Sequence, residues 1–186
     1  MENYGSRPSP ITDLLLRLKH VFVWLSRATH CRGFGIQSPS DYHFVRYVIN
    51  EHWPYYAYTT LGKDDGWLRG KLGRLYFRLA NWRQPAYIVD LTGSASYLQA
   101  GCRKAQVVSS AETIELAILP LSNNYAEWFS HCNSSSVVVF EGISRNRQLW
   151  QRIVASKQVT ISFDLYYCGI VMLDTKRTKQ HYIVNF

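Results

Sequence analysis

Two carboxylates follow short apolar runs in the middle of the chain. Asp90 ends one such run and opens a turn of small residues, Thr92, Gly93 and Ser94. Glu112 ends a second β-branched run, 22 positions after Asp90. A nucleotide-binding βαβ unit needs this order, because the turn lets a ligand approach the backbone and the second acid can accept hydrogen bonds from ribose hydroxyls. The pattern therefore suggests a nucleotide-binding origin for this part of the chain.

The turn after Asp90 has fewer glycines than nucleotide-binding turns usually have. Gly93 is its one glycine, and Gly101 lies too far along the chain to belong to the same bend. Ser94 and Ser96 are small but carry Cβ atoms, so a positive φ would be unfavourable for them. A single glycine after a strand is a weak motif, and the residues alone favour an ordinary strand-to-helix turn over a ligand site.

Composition and charge describe a globular protein with a basic N-terminal part. Its 186 residues are 47% hydrophobic and 15% aromatic, which suits one domain, with or without an N-terminal extension. The net charge is +8, and twelve of the 21 basic residues but only six of the 13 acids lie at or before Arg83. No long basic run occurs, so a solvated basic face is favoured over a nucleic-acid site, and no nucleic-acid partner is expected.

Cysteine spacing and hydropathy predict a cytoplasmic protein without a metal site. The four cysteines form no CxxC pair and have no histidine at a zinc-binding spacing. Reduced thiols in the cytosol are the plain inference. The N-terminus shows no secretory signal, and the apolar stretch Ile11–Leu25 is too short and too charged to span a membrane.

That apolar stretch predicts the first helix, capped by Ser9 and extending from Pro10 to about Ala28. Its apolar residues recur at helical spacing and form a stripe, which consists of Leu14, Leu15, Leu18, Phe22 and Leu25. We expect the stripe to pack on the rest of the domain. A dimer helix or a membrane-surface helix is the alternative.

The remaining pattern alternates between strands and helices. Helices are predicted over 41–51, 71–82 and 145–155, with a further helix beginning at Ile114–Leu119 and a helical tail over Asp174–Tyr182. Strands are predicted over 86–90, 106–111, 137–140 and 163–168. This alternation predicts an α/β fold with a parallel sheet flanked by helices. We divide the chain into an N-terminal helical extension, 1–83, and an α/β domain, 84–186, which together form one compact unit.

The order of these motifs resembles class I S-adenosylmethionine-dependent methyltransferases, and more narrowly a bacterial group related to the small O-methyltransferases. The distinctive part is the segment His30–Pro39, followed by Tyr42 and Ile49. The helix over Arg74–Pro85 and the strand Ile88–Asp90 also match. The resemblance extends from about Cys31 to about Tyr182.

The resemblance implies a Rossmann-like domain that uses S-adenosylmethionine to methylate an unknown small-molecule acceptor. It places the methionine end of the cofactor at the turn, its ribose at the acid of the second strand and its adenine at the end of the third strand. The residues concerned are Asp90, Thr92, Gly93 and Ser94 for the methionine end, Glu112 for the ribose, and Glu141 and Gly142 for the adenine.

The chain departs from that family after the fourth strand. The stretch 164–170 lacks the acid that helps hold a divalent cation in metal-dependent members, so no metal is expected. The chain also ends early, which predicts an incomplete sheet whose open edge is covered by a partner or by the N-terminal helices.

These departures leave two functions open. The first is active methyl transfer, for which the catalytic base is unknown and His30, His43 and His181 are candidates by residue type only. The second is a catalytically inactive methyltransferase-like protein that acts as a binding or interaction module. Such a module could form a homodimer through Ile11–Leu25 or through the open sheet edge.

Overall fold

A computed structural model describes residues 10–186 of the chain, so the predicted cap at Ser9 lies outside the described residues. Six α-helices occur in this range, with a short π-helical turn, Val45–Ile49, continuing α2 and 3-10 turns at Ala28–Gly33 and Tyr56–Thr59. The helices are α1 Pro10–Ser26, α2 Pro39–Phe44, α3 Trp67–Arg83, α4 Ala95–Gly101, α5 Tyr125–Ser130 and α6 Arg147–Ala155. None of the helices in this part of the chain is long and apolar enough to cross a membrane.

The helices flank one sheet, in which seven strands are described. They are β1 Tyr87–Asp90, β2 Gln106–Val108, β3 Ile114–Pro120, β4 Cys132–Glu141, β5 Ile161–Asp164, β6 Cys168–Met172 and β7 Gln180–Ile183. Their order across the sheet is β2-β1-β3-β4-β6-β5-β7. β6 is antiparallel to both of its neighbours, whereas the other pairs are parallel. The sheet is therefore mixed, and the prediction of a parallel sheet holds only for most of it.

The stretch predicted to begin a helix at Ile114–Leu119 is instead the central strand β3. It pairs with β1 on one side and β4 on the other, and Leu116 to Leu119 are all buried. A short continuous apolar run fits a buried helix or a buried strand equally well, and periodicity cannot separate them. Here the two neighbouring strands decide the conformation, and Pro120 ends the strand where its missing N–H does no harm.

The C-terminal part contributes more strands than the sequence predicted. The segment predicted as one strand, 163–168, is a hairpin between β5 and β6, with Tyr166 in the turn at φ 71°. The Asp164 carboxylate accepts the N–H of Tyr166 at 3.0 Å, which supports this turn. The tail predicted to be helical forms β7 beside β5. The sheet, which the sequence predicted to be incomplete, therefore has seven strands in the described part of the chain.

The N-terminal and C-terminal parts share one hydrophobic core. Phe44, Leu75, Val139 and Val184 all belong to the same buried cluster. Arg78 of α3 is buried, although it is charged, and donates hydrogen bonds to two backbone carbonyls of the π-helical turn. That position is inward because the carbonyls left unpaired at the end of a helix need donors.

Two glycines allow α3 and α4 to pack closely. A Cβ atom at Gly73 would overlap the ring of Tyr97, and one at Gly101 would overlap the backbone carbonyl of Phe77. This close packing fixes the position of α4 against α3. The turn that joins β1 to α4 is therefore held at one end by the strand and at the other by the helix.

The first helix has the opposite orientation to the predicted one. Its apolar stripe faces solvent, with Ile11 72% and Phe22 73% exposed. The inward side carries polar groups: the Asp13 carboxylate accepts the N–H of Trp67 at 3.0 Å, and the ring of His20 packs at a tilt on the ring of Trp67, with 4.6 Å between the ring centres. Burial and the nearby Lys71 lower the pKa of His20 to about 4. The prediction that the stripe packs on the domain was wrong, because these polar contacts set the orientation of α1.

The distinctive segment His30–Pro39 connects the N-terminal part to the last strand and the end of the chain. The N–H of Asn185 donates to the carbonyl of His30 at 3.0 Å. Just after the segment, the buried Asp41 accepts hydrogen bonds from Arg177 at 2.6 Å and from the hydroxyl of Tyr182 at 3.0 Å. The β7 edge of the sheet is thus joined to the N-terminal part of the chain.

Candidate functional site

The sheet has a topological switch point at β1. The chain goes from β1 to β2 on one side and then to β3 on the other. In open α/β sheets, ligands bind outside the carboxyl ends of the strands at such a point. Backbone hydrogen bonds join the carboxyl ends of β1, β3 and β4 there. The N–H of Leu91 donates to the carbonyl of Ile118, and the N–H of Leu121 donates to the carbonyl of Glu141, both at 3.0 Å. We call this region the carboxyl-edge site.

Asp90 organises the turn that opens the carboxyl-edge site. One of its carboxylate oxygens accepts the N–H of Thr92 at 2.9 Å and the Thr92 hydroxyl at 2.8 Å. The other accepts the N–H of Ser94 at 2.5 Å. Gly93 lies between these two residues at φ 74°, a conformation that favours glycine, so the one glycine of the turn occupies the position that needs it.

Glu141 ends β4 on the same side of the sheet. Its Oε1 accepts the hydroxyl of Tyr76 at 2.7 Å and lies 3.5 Å from a guanidinium nitrogen of Arg69. Burial raises the pKa of Glu141, the Tyr76 hydroxyl and Arg69 oppose this, and the charge of Asp90 adds to the rise. A carboxyl group with a raised pKa at the mouth of a sheet can take up or release a proton closer to neutral pH than an ordinary glutamate.

Arg69 connects the two halves of the carboxyl-edge site. A Cβ atom at Gly93 would lie 3.9 Å from its guanidinium, so Arg69 extends over the turn as well as to Glu141. Six of the seven predicted cofactor residues are thus at one edge of the sheet: Asp90, Thr92, Gly93, Ser94, Glu141 and Gly142. The sequence singled out neither Arg69 nor Tyr76 as a residue of this site.

Glu112 is the seventh residue, and it is not with the others. Only residues 109–113 join β2 to β3, and no helix lies between these strands. The N–H of Ile114 donates to the carbonyl of His131 at 2.8 Å, where β3 begins next to the start of β4. The carbonyl oxygen of Glu112 lies 3.3 Å from Nδ1 of the same histidine.

The distance along β3 shows how far this is from the turn. Asp90 pairs in register with Ile118, which lies about 13 Å along the strand from Ile114. Glu112 precedes Ile114 and is exposed. It therefore lies toward the amino-terminal end of β3, opposite the carboxyl-edge site, because the short connection returns the chain to that end of the sheet.

The three histidines considered as bases have other surroundings. His43 is exposed and packs on Tyr47 at 4.6 Å. His181 lies on β7, five strands away from β1 or about 24 Å across the sheet. Its Nδ1 is 2.8 Å from the hydroxyl of Ser162, and burial lowers its pKa. The carbonyl of His30 is bonded to Asn185, as described above. Glu141 is the titratable group whose position fits a proton acceptor at the carboxyl edge.

Metal ligands are not grouped in the described part of the chain. No set of three or more histidine, cysteine, aspartate or glutamate side chains between residues 10 and 186 could hold a metal ion. All four cysteines are free. Burial raises the pKa of Cys168, which pairs in register with Glu141, well above its ordinary value. A protonated thiol is a poor metal ligand and a poor nucleophile.

The predicted cofactor residues are divided between two places in the structure. The turn after β1 offers a glycine at positive φ beside Arg69 and Glu141. Glu112, the acid predicted to accept from the ribose hydroxyls, lies toward the other end of β3. The seven predicted residues therefore do not form one site.

Comparison with protein-family models, with curated proteins and with solved structures finds no match to this chain.

Proposed function

We propose that this chain is a class I S-adenosylmethionine-dependent methyltransferase-like protein with a Rossmann-like sheet, and that the carboxyl-edge site is its ligand site. The observation that supports this most is the switch point at β1, where the Asp90 turn and Glu141 lie side by side. Ligands of α/β sheets bind at that place because strand ends and loops from both directions leave a crevice there. The cofactor would supply an electrophilic methyl group, and its acceptor would be a small molecule of unknown identity.

The charges of the carboxyl-edge site suit a zwitterionic ligand end. Arg69 provides a cation, while Asp90 and Glu141 provide carboxylates within the same small region. The amino-acid end of S-adenosylmethionine carries both an ammonium and a carboxylate, so each of its charges would find an opposite charge. The free cysteines are consistent with a cytoplasmic location, which we propose together with this function.

A second candidate is a fold retained for association without methyl transfer. The position of Glu112 favours it, because the ribose end of the cofactor lacks its predicted acceptor. The solvent-facing apolar stripe of α1 favours it as well, since exposed apolar patches of this kind are typical of interaction sites. A homodimer through α1 is the form of association that we propose for this case.

Calorimetric titration with S-adenosylmethionine and S-adenosylhomocysteine tests the first candidate. A matched pair of variants locates the site: Glu141→Gln and Glu112→Gln remove the same charge at two predicted positions. Glutamine at position 141 can still accept the hydroxyl of Tyr76, so the fold is kept. We expect micromolar binding that weakens at least about tenfold in Glu141→Gln and is unchanged in Glu112→Gln.

Two outcomes would overturn this assignment. Equal binding by wild type and Glu141→Gln would show that the ligand does not bind at the carboxyl-edge site. If the protein is folded by circular dichroism and does not bind either ligand at millimolar concentration, the methyltransferase proposal is rejected and the association function remains. Sedimentation velocity would then test whether the chain forms dimers.

A further inference from the structure

A second concave region lies away from the carboxyl-edge site, against the other side of α3. It is a cavity of about 700 Å³, which we call the α3 cavity, between the first turns of α3 and the segment 49–59, and Phe186 also lines it. That volume is in the range of small-molecule sites in proteins. Lys71 follows Arg69 by two residues, about 200° around the helix, so the α3 cavity and the carboxyl-edge site lie on different sides of α3.

Three cations line the α3 cavity. They are Lys71, Arg74 and Arg78. None of the ion pairs formed within residues 10–186 includes any of the three. Lys71 contacts ring faces instead, with Nζ 4.4 Å from the centre of the Phe186 ring. Arg78 donates to backbone carbonyls, which leaves its charge unbalanced.

The acids that line the cavity are engaged elsewhere. Glu51 accepts the hydroxyl of Tyr55 at 2.8 Å, and Asp65 accepts the hydroxyl of Tyr97 at 2.7 Å. Each carboxylate therefore bonds to a neutral phenol rather than to a cation. A phenol does not neutralise a carboxylate, so three cations face two carboxylates in the lining, which leaves an excess of one positive charge.

The pKa values of two groups that line the cavity are lowered by burial and by the nearby positive charges. Burial lowers the pKa of Lys71 to about 8, with Arg78 adding to the shift. Burial also lowers the pKa of His52, and four basic side chains lower it further: Arg78, Lys71, Arg32 and Arg46. Partly buried cations without partners are unfavourable, and an anion placed among them would remove that penalty.

Aromatic side chains at the rim of the cavity provide flat surfaces. Trp53 is 70% exposed and Tyr56 is 94% exposed, although both line the cavity. Exposed aromatic rings beside cations are suited to stacking on a planar ligand, because each ring can cover one face of it. Hydrophobic burial alone would instead have turned these rings inward.

We propose that the α3 cavity binds a small anion that carries a planar ring, of the chemical class of a nucleoside monophosphate. Its phosphate lies against Lys71 and Arg74, and its ring stacks on Trp53 or Tyr56. This site is independent of the function proposed for the carboxyl edge. It accounts for the unpaired cations and the exposed rings together.

The full chain should be titrated with adenosine 5′-monophosphate by calorimetry and by quenching of tryptophan fluorescence. Inorganic phosphate and adenosine, each alone, are the fragment controls, and we expect each to bind at least about tenfold more weakly. Lys71→Met should lose at least about tenfold in affinity, and Trp53→Ala should lose both affinity and part of the quenching. Lys104→Met, at an exposed position remote from the cavity, is the matched control and should bind like the wild type.

A further readout separates ligand contact from a structural role of Lys71. In an NMR titration the ligand should raise the pKa of Lys71 above about 8, its value in the ligand-free chain, because a bound phosphate favours the charged amine. Glu141→Gln should leave this binding unchanged, so failure of the carboxyl-edge proposal would not affect the result.

Four results would overturn the proposal. The first is no binding of the nucleotide at millimolar concentration by the folded chain. The second is equal binding by wild type and Lys71→Met. The third is an affinity for phosphate or adenosine alone that matches that of the nucleotide. Tighter binding of a single-stranded oligonucleotide that falls equally in Lys71→Met and Lys104→Met would likewise reject a small-molecule site in favour of diffuse attraction by the basic surface.

Discussion

Replacement of Lys71 by methionine should stabilise the folded chain near neutral pH. The amine is held among apolar rings and near the guanidinium of Arg78, so its charged form is less favourable in the folded state than in the unfolded chain. Methionine has a similar length and fills the same space without a charge. The variant therefore removes the electrostatic penalty and leaves the packing nearly unchanged.

The size of the effect follows from two opposing contributions. The pKa of Lys71 falls from 10.5 to about 8, and each unit corresponds to about 1.4 kcal/mol, so the charged amine lowers the stability by about 3 kcal/mol near pH 7. Loss of the contacts with the rings of Trp67 and Phe186 would offset about 1 kcal/mol. The burial penalty is larger, so we expect a net gain of about 2 kcal/mol and a Tm higher by roughly 4–8 °C.

The pH dependence gives the sharper test, because it isolates the amine. Between about pH 8 and pH 10.5 the unfolded chain binds this proton and the folded chain does not, so the stability of the wild type rises with pH through that window. Methionine cannot titrate. The difference in unfolding free energy between the two proteins should therefore shrink by about 2 kcal/mol between pH 7 and pH 9.5. Shifts of other groups cancel in that difference.

Urea denaturation of both proteins at the two pH values, followed by circular dichroism, measures the difference directly. Lys104→Met, an exposed substitution of the same kind, should change the stability by less than about 0.5 kcal/mol at both pH values. A destabilised Lys71→Met variant at pH 7 would show that the ring contacts outweigh the burial penalty. A difference that does not change with pH would show that Lys71 titrates normally.

Three further substitutions test the packing and the outer surface. Asp164→Asn should lower the unfolding free energy by about 3 kcal/mol, because two arginines lose a buried carboxylate partner. The pKa of Asp164 is lowered in the folded state. The difference in stability between wild type and variant should therefore disappear in acid, as the pH falls through that folded-state pKa. Gly73→Ala should lower it by about 1–3 kcal/mol, since its Cβ would overlap the ring of Tyr97, and thermal denaturation measures this loss. Phe22→Glu should change the stability of the monomer by less than about 0.5 kcal/mol, yet it should weaken any dimer seen in sedimentation velocity if α1 is its interface.

The parts of the site that the sequence predicted are those that depend on local order. Asp90 ends a strand and Gly93 has a positive φ because both properties follow from a few neighbouring residues. Glu141 was placed correctly at the end of a buried strand for the same reason. That these residues share one edge follows from the general rule for parallel strands, whose carboxyl ends lie on the same side.

The position of Glu112 could not be read in the same way. Its distance of 22 residues from Asp90 fits a strand–helix–strand unit, and β2 does follow α4 as that unit requires. The misplacement arises after β2, where the chain returns within five residues to the start of β3 instead of forming a helix. The predicted second strand was also too long, since β2 ends at Val108, so Glu112 belongs to the connection and not to a strand end.

The orientation of α1 shows what periodicity does and does not determine. The spacing of Leu14, Leu18 and Phe22 correctly predicts that these residues share one face of a helix, because 3.6 residues complete a turn. It does not determine the direction of that face. The direction is fixed by three polar contacts made from the other side or from just beyond the end: Asp13 with the start of α3, His20 with Trp67, and the buried pair of Arg27 with Asp164.

Each of these contacts depends on a geometry that an apolar contact does not require. A carboxylate that accepts a helix N–H, or a guanidinium bonded to a fully buried aspartate, tolerates little displacement. Hydrophobic burial alone would favour a helix rotated by half a turn, with its stripe toward the domain. Such a rotation would take Arg27 away from Asp164 and leave the buried carboxylate with Arg147 and Trp150 alone, and the loss of a charged partner from a buried carboxylate is destabilising. The polar side therefore sets the orientation, and the apolar face that remains outside is a surface that a second molecule can cover.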